Sequence, residues 1–183
     1  MTIIEKLSDI IDNLEILNFR WSFSESLKGF KFSENVHTIY IITGNIKLSD
    51  IDFPKKLKSL LIYQSCCDFM GVIFPDTLQK LHLRSSIIIS TINLVLPPNL
   101  IELSLCGYDI KNLSFPKSLQ SLELYNSGIY DLDFNHELYI IFDKHIDNPK
   151  FEFVKCDSDH EGTRWHYIYL KWPRSHFIKA ARI

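Results

Sequence analysis

The chain has 183 residues, 46% hydrophobic and 23% charged, and its 20 Lys and Arg against 22 Asp and Glu leave a net charge of -2. A single domain over 1–183 buries a sizeable core without metals or disulfides at this length. The near-neutral balance excludes the electrostatic footprint of a nucleic-acid binder or a basic membrane binder.

At the N-terminus, Ile3, Ile4, Leu7, Ile10, Ile11 and Leu14 recur at spacings of three and four. Thr2 stands at a capping position with Glu5 three residues on, so 1–14 is predicted as an amphipathic helix that caps the domain. Glu5, Asp9 and Asp12 interrupt the apolar residues, and no basic segment precedes them, unlike a signal peptide. The longest apolar-rich stretch, Ile87 to Leu96, contains Ser90, Thr91 and Asn93. It falls far short of the roughly 20 apolar residues a membrane helix needs. Cys66, Cys67, Cys106 and Cys156 are expected to be reduced, buried thiols of an intracellular protein.

The centre of the chain repeats. FPKKLKSLLI (Phe53 to Ile62), FPDTLQKLHL (Phe74 to Leu83), LPPNLIELSL (Leu96 to Leu105) and FPKSLQSLEL (Phe115 to Leu124) share Phe/Leu-Pro, two polar residues, then Leu-x-x-Leu-x-Leu. Weaker copies occupy Ile10 to Phe19, Phe32 to Ile41 and Phe134 to Asp143, so repeats cover 10–143 with heads 19 to 22 residues apart. A fixed short period of this kind builds a solenoid, in which each coil buries its apolar face against the next. About seven short strands should form one parallel sheet, with little helix because strand and turns use up a 19–22-residue coil. Pro54, Pro75, Pro97 and Pro116 are expected just before each strand, marking its start.

Alternation assigns the faces. Leu60 and Ile62 should point into the coil, with Ser59, Leu61 and Tyr63 pointing out. Phe32, Phe53, Phe74, Leu96, Phe115 and Phe134 should stack as one inner column, beside Leu57, Leu78, Leu100 and Leu119. Cys67, Ile88, Ile110 and Ile129 should close the far side. At the ninth position counted from the first Leu of each repeat, Ser65, Ser86 and Ser127 are candidates for bonding the neighbouring backbone, whereas Gly44 and Tyr108 cannot do so in the same way.

These coils resemble leucine-rich repeats, and the resemblance covers about three quarters of the chain, from Ile10 to Asp143. Within that superfamily they are similar to the short-repeat effectors of some bacteria and to the FNIP-type repeats of social amoebae and of giant viruses of amoebae. Composition leans toward the second group: 25 isoleucines, with plentiful Asn, Lys, Ser, Phe and Tyr, are what an AT-rich genome produces. The resemblance implies a curved sheet whose outward, concave side receives a partner. Some bacterial effectors carry a ligase domain after their repeats, but about 40 residues after Asp143 are too few for one, and no such activity is carried over.

The tail, 144–183, leaves the repeat. Phe151 to Val154 and Trp165 to Trp172 are aromatic, strand-like runs joined by Asp157-Ser158-Asp159-His160-Glu161-Gly162, predicted as a hairpin-like C-terminal β cap. Cys156, Asp157, Asp159, His160 and His166 lack the paired spacing of a zinc site, and a polar loop is the simpler reading. No metal, cofactor or small-molecule substrate is expected. There is no Gly-rich phosphate loop, no Gly-x-Ser-x-Gly and no His-Glu-x-x-His, so an enzyme is the minority reading.

The candidate site is therefore the concave face, where Tyr40, Ile42, Leu61 and Tyr63 are followed by Lys80, His82 and Arg84, and then by Glu102, Glu123 and Tyr125. Ser104 and Cys106 belong to the same outward set. Aromatic and Arg side chains are typical anchors of protein partners. The competing expectation is that Lys80, Arg84, Glu102 and Glu123 simply pair across adjacent strands. Two functions stay open: a non-enzymatic protein-protein interaction module in a host or amoebal cytoplasm, or a structural component of a virus particle or other assembly, packaged in a virion.

Overall fold

A computed structural model describes residues 14–19, 27–42, 47–63, 69–111, 113–125, 139–142, 153–155 and 167–170. Seven strands run parallel in chain order: β1 (Ile16–Phe19), β2 (Thr38–Ile42), β3 (Ser59–Tyr63), β4 (Lys80–Ser90), β5 (Glu102–Asp109), β6 (Ser121–Tyr125) and β7 (Tyr139–Phe142). β9 (Tyr167–Leu170) pairs antiparallel with β7, and β8 (Phe153–Lys155) pairs antiparallel with β9. Both tail runs therefore contain a strand, but β9 lies between β7 and β8. The chain is a parallel-strand solenoid. Its only helical segment among the described residues is one 3₁₀ turn, Leu48–Asp50.

Each strand buries alternate residues because side chains on a pleated strand point to opposite faces. Ile39 and Ile41, Leu60 and Ile62, Leu81 and Leu83, Leu103 and Leu105, and Leu122 and Leu124 are all at most 1% exposed. The strands are in register, so these side chains stack as two continuous rows from β2 to β6. A third buried row is Val36, Leu57, Leu78, Leu100 and Leu119. The head column is present but is mostly only partly buried. Phe32, Phe53, Leu96 and Phe115 pack against the core from its edge, Phe74 is buried, and the rings of Phe53 and Phe74 lie 5.8 Å apart. Ile110 is buried as expected. Cys67, Ile129, Phe134 and the side chain of Ile88 lie outside the described residues, as do the helix predicted before Leu14 and the loop holding Cys156, His160 and His166.

Two tight turns close each coil. In the turn before the strand, the amide of Leu57 donates to the carbonyl of Pro54, Leu78 to Pro75, Leu100 to Pro97 and Leu119 to Pro116, at 3.0–3.3 Å. The prolines therefore open this turn and do not mark the start of the strand, which follows later, as Pro54 and Ser59 illustrate. A proline's missing N–H costs nothing there, because the turn uses only its carbonyl. Before Leu78, Leu100 and Leu119, the preceding residue ties the coil to its predecessor. Thr77 Oγ1 donates to the carbonyls of Lys55 and Leu57 at 2.8 Å, Ser118 Oγ to those of Pro98 and Leu100 at 2.7 Å, and Asn99 Nδ2 to that of Asp76 at 3.0 Å. Of the candidates the repeat suggests for bonding the neighbouring coil, Ser65 and Ser127 lie outside the described residues, as does Gly44.

The other turn follows the strand, and sequence alternation gives no sign of it. Phe30 N–H bonds Leu27 O, Ile51 bonds Leu48, Val72 bonds Phe69, Leu94 bonds Thr91 and Leu113 bonds Ile110, all near 3 Å. Gly29, Gly71 and Asn93 occupy its third position with φ of 74°, 74° and 67°. That is the left-handed conformation which Gly adopts freely and Asn tolerates.

One coil departs from the rest. Arg84 pairs with Cys106 and Ile89 with Tyr108, so Ser85, Ser86, Ile87 and Ile88 together oppose Gly107 alone. The bulge turns Ser86 to solvent and buries Ser85, whose Oγ accepts the amide of Ile87 at 3.1 Å. Ser86 is thus not the buried bonding residue the sequence pattern suggested. Tyr108 is fully buried with its ring 6.1 Å from that of Phe69.

Candidate functional site

The outward face of the sheet presents three rows, one per outward strand position, at the roughly 4.8 Å spacing of neighbouring strands. The first runs Ile16, Thr38, Ser59, Lys80, Glu102, Ser121. The second runs Asn18, Tyr40, Leu61, His82, Ser104, Glu123, and the third Ile42, Tyr63, Arg84, Cys106, Tyr125. All ten predicted site residues stand on this one face. Lys80 and Arg84 are exposed, whereas Tyr40, Ile42, Leu61, Tyr63, His82, Glu102, Glu123 and Tyr125 are half-buried among their neighbours.

Charge on the face is partly neutralised within it. Lys80 Nζ lies 2.8 Å from Glu102 Oε1 across adjacent strands, as the competing expectation foresaw for this pair. Both side chains are about half exposed, and such a pair is worth at most about 1 kcal/mol. Arg84 and Glu123 form no ion pair of that kind among the described residues. Arg84 therefore presents its guanidinium in the third row between Tyr63 and Cys106.

His82 is the titratable centre. Burial pulls its pKa below the usual 6.5; Glu123 pushes it up, Arg84 down, Glu102 up and Lys80 down. A neutral imidazole results at neutral pH, with one ring nitrogen donating and the other accepting.

Ser104 corrects the sequence reading. It stands at an outward position but is only 1% exposed, because the larger His82 and Glu123 flank it in the same row. Its Oγ has no hydrogen-bond partner among the described residues. His82, Ser104 and Glu123 share a row, but the serine lies between the other two. A Ser-His-carboxylate relay needs the imidazole in the middle. The face holds two tyrosines and an arginine in one row, with a neutral imidazole and two carboxylates beside them. Among the described residues no three His, Cys, Asp or Glu side chains gather as a metal site, and no helix is long and apolar enough to cross a membrane. Cys106 is only partly buried and stands on the outward face, so it is not the buried core thiol the sequence suggests.

No family model, no curated protein and no solved structure matches this chain. The site is therefore read from its own geometry and from the repeat. The turn pattern Leu27-Lys28-Gly29-Phe30, Leu48-Ser49-Asp50-Ile51, Phe69-Met70-Gly71-Val72 was visible in the sequence as a second periodic signal. A search built on strand alternation passes over it.

Proposed function

We propose that the chain is a short-coil leucine-rich repeat protein of FNIP-like type that acts without catalysis, binding a protein partner on the outward face of its sheet. The row Tyr63, Arg84, Cys106, Tyr125 carries this reading: two aromatic side chains and a guanidinium, fixed on consecutive strands by an unbroken register. A backbone held in this way needs no reordering on binding, and Tyr and Arg dominate the energetics of protein interfaces. The Lys80–Glu102 pair and His82 lie in the adjoining rows, where polar side chains set orientation more than affinity. An intracellular setting, in an amoebal cytoplasm or a virion, belongs to the same proposal and follows from the resemblance. The antiparallel β8 and β9 are read as the cap of the solenoid's C-terminal end.

An affinity pull-down from the source cell or particle, with the wild type beside the Tyr63→Ala/Arg84→Ala pair, tests it once circular dichroism shows both folded. A partner retained by the wild type and lost by the pair supports the reading. Equal capture by both removes the site. The second reading, a structural component of a particle or other assembly, is favoured by apolar side chains exposed on the turns. Recovery of the chain at fixed stoichiometry with particle components would select it.

A further inference from the structure

The two outward positions of the turn segment differ from coil to coil. In chain order they hold Lys28 and Lys31, Ser49 and Asp52, Met70 and Ile73, Ile92 and Val95, and Lys111 and Ser114. Among the described residues only two coils carry apolar side chains there, and all four are prominent: Met70 is 69% exposed, Ile73 82%, Ile92 73% and Val95 73%. The inward residues between them, Val72 and Leu94, are buried, so the exposed four are not strays from a loose core. Successive turns touch: a Cβ placed on Gly71 would lie 3.8 Å from that of Ser49. Stacked in the same way, the next coil, in register with this one along β3 and β4, would set Ile92 and Val95 beside Met70 and Ile73 as one patch on the turn segment. Apolar side chains scattered singly are ordinary on a surface, whereas four together call for a covering partner.

The flanks of the patch differ in charge. Asp52, exposed, borders it on the N-terminal side, and Lys111, exposed, borders it on the C-terminal side. We propose that this face is a two-fold interface between two copies of the chain, with the coils of one copy running antiparallel to those of the other. In that arrangement Met70 and Ile73 lie over Ile92 and Val95 of the partner subunit. Asp52 comes within reach of Lys111 of the partner subunit, and the symmetry makes this contact twice. A parallel arrangement would bring Asp52 to Asp52 and Lys111 to Lys111, so charge selects the antiparallel one. Four side chains with one charge pair on each flank make a small interface, and a weak, reversible dimer is the expectation to be measured.

Sedimentation equilibrium of the full chain from about 1 to 200 μM measures this directly. A monomer–dimer equilibrium is expected for the wild type, and Ile73→Glu/Ile92→Glu should raise its dissociation constant about 100-fold or more with an unchanged circular dichroism spectrum. Asp52→Lys alone should weaken the dimer about tenfold, and Asp52→Lys/Lys111→Asp should restore it. The charge variants alter only exposed side chains and keep the test valid if the glutamate pair does not fold. A wild type that is monomeric throughout, a dimer indifferent to the glutamate pair, or a charge reversal that fails to rescue would each overturn the interface. None of these outcomes bears on the outward face of the sheet, so this proposal and the partner-binding one stand or fall separately.

Discussion

Gly107 is the residue on which the β4–β5 bulge depends, and replacing it by alanine separates two costs that usually come together. Its φ is +77°, and a Cβ built on it would lie 2.6 Å from the carbonyl oxygen of Ser85 and 2.9 Å from that of Ile87. The left-handed backbone alone costs an L-residue about 1–2 kcal/mol, offset by about 0.4–1 kcal/mol because alanine also restricts the unfolded chain. The contacts are with backbone, which cannot rotate away as a side chain would, and overpacking of this kind adds about 1–3 kcal/mol. Gly107→Ala should therefore lose about 2–4 kcal/mol. Gly29 supplies the control: its φ is +74°, but nothing lies within 4 Å of its would-be Cβ. Gly29→Ala should cost about 0.5–1 kcal/mol. Gly71→Ala, at an ordinary 3.8 Å from the Ser49 Cβ, should match it. Urea unfolding followed by far-ultraviolet circular dichroism reads these as midpoint shifts. With a slope of about 2 kcal/mol per molar, Gly107→Ala should move the midpoint down by about 1–2 M. Equal shifts for Gly107→Ala and Gly29→Ala would refute the steric argument and with it the described packing of the bulge.

Three further outcomes follow from the contacts between coils and on the sheet face. Ser118→Ala removes the donor to two carbonyls and should cost about 1–2 kcal/mol, as should Thr77→Val, both measured by the same urea titration. In a double-mutant cycle, Lys80→Ala and Glu102→Ala should show a coupling of about 0.2–1 kcal/mol that shrinks as salt is raised, and a coupling insensitive to salt would mean a contact other than this ion pair. His82 should titrate below 6.5 by NMR. Because its folded pKa lies below its unfolded value, the unfolded chain binds the proton more readily. The stability gained from keeping His82 neutral is thus complete above pH 6.5 and is lost as pH falls from 6.5 to the folded pKa. His82→Gln should flatten that stretch of the stability–pH curve, and an unchanged slope would show that His82 is not its source.

The alternation of Leu60, Leu61 and Ile62 and its recurrence made the parallel sheet and its two faces legible, because inward and outward are fixed by strand geometry alone. The placement of the prolines was not legible. A fixed φ suits either the start of a strand or a turn, and only the Pro54 carbonyl bonded by Leu57 distinguishes them. The bulge left a trace in the numbers. The head spacing falls from 22 residues (Phe74 to Leu96) to 19 (Leu96 to Phe115), a difference of three, which is the four residues 85–88 less the one residue, Gly107, that opposes them. The outward face was readable in membership but not in depth. Ser104 is covered because its row neighbours are His82 and Glu123, and which residues become neighbours depends on register between coils 19 and 22 residues apart.

The bonds that join the coils at the turn before each strand have a direction. Lys58 and Ser59 both donate to His37 O, Gln79 and Lys80 to Lys58 O, Ile101 and Glu102 to Gln79 O, and Gln120 and Ser121 to Ile101 O. The side chains of Thr77, Asn99 and Ser118 likewise reach back to the preceding coil. At these positions the donors lie in the later coil and the acceptors in the earlier one. On a ribosome, which delivers the chain N-terminus first, each coil therefore emerges to find the acceptors of these turn bonds already in place, whereas a bond such as Thr91 to Asp109 O waits for the later coil. The solenoid can be laid down one coil at a time during synthesis, each finished coil serving as the template for the next.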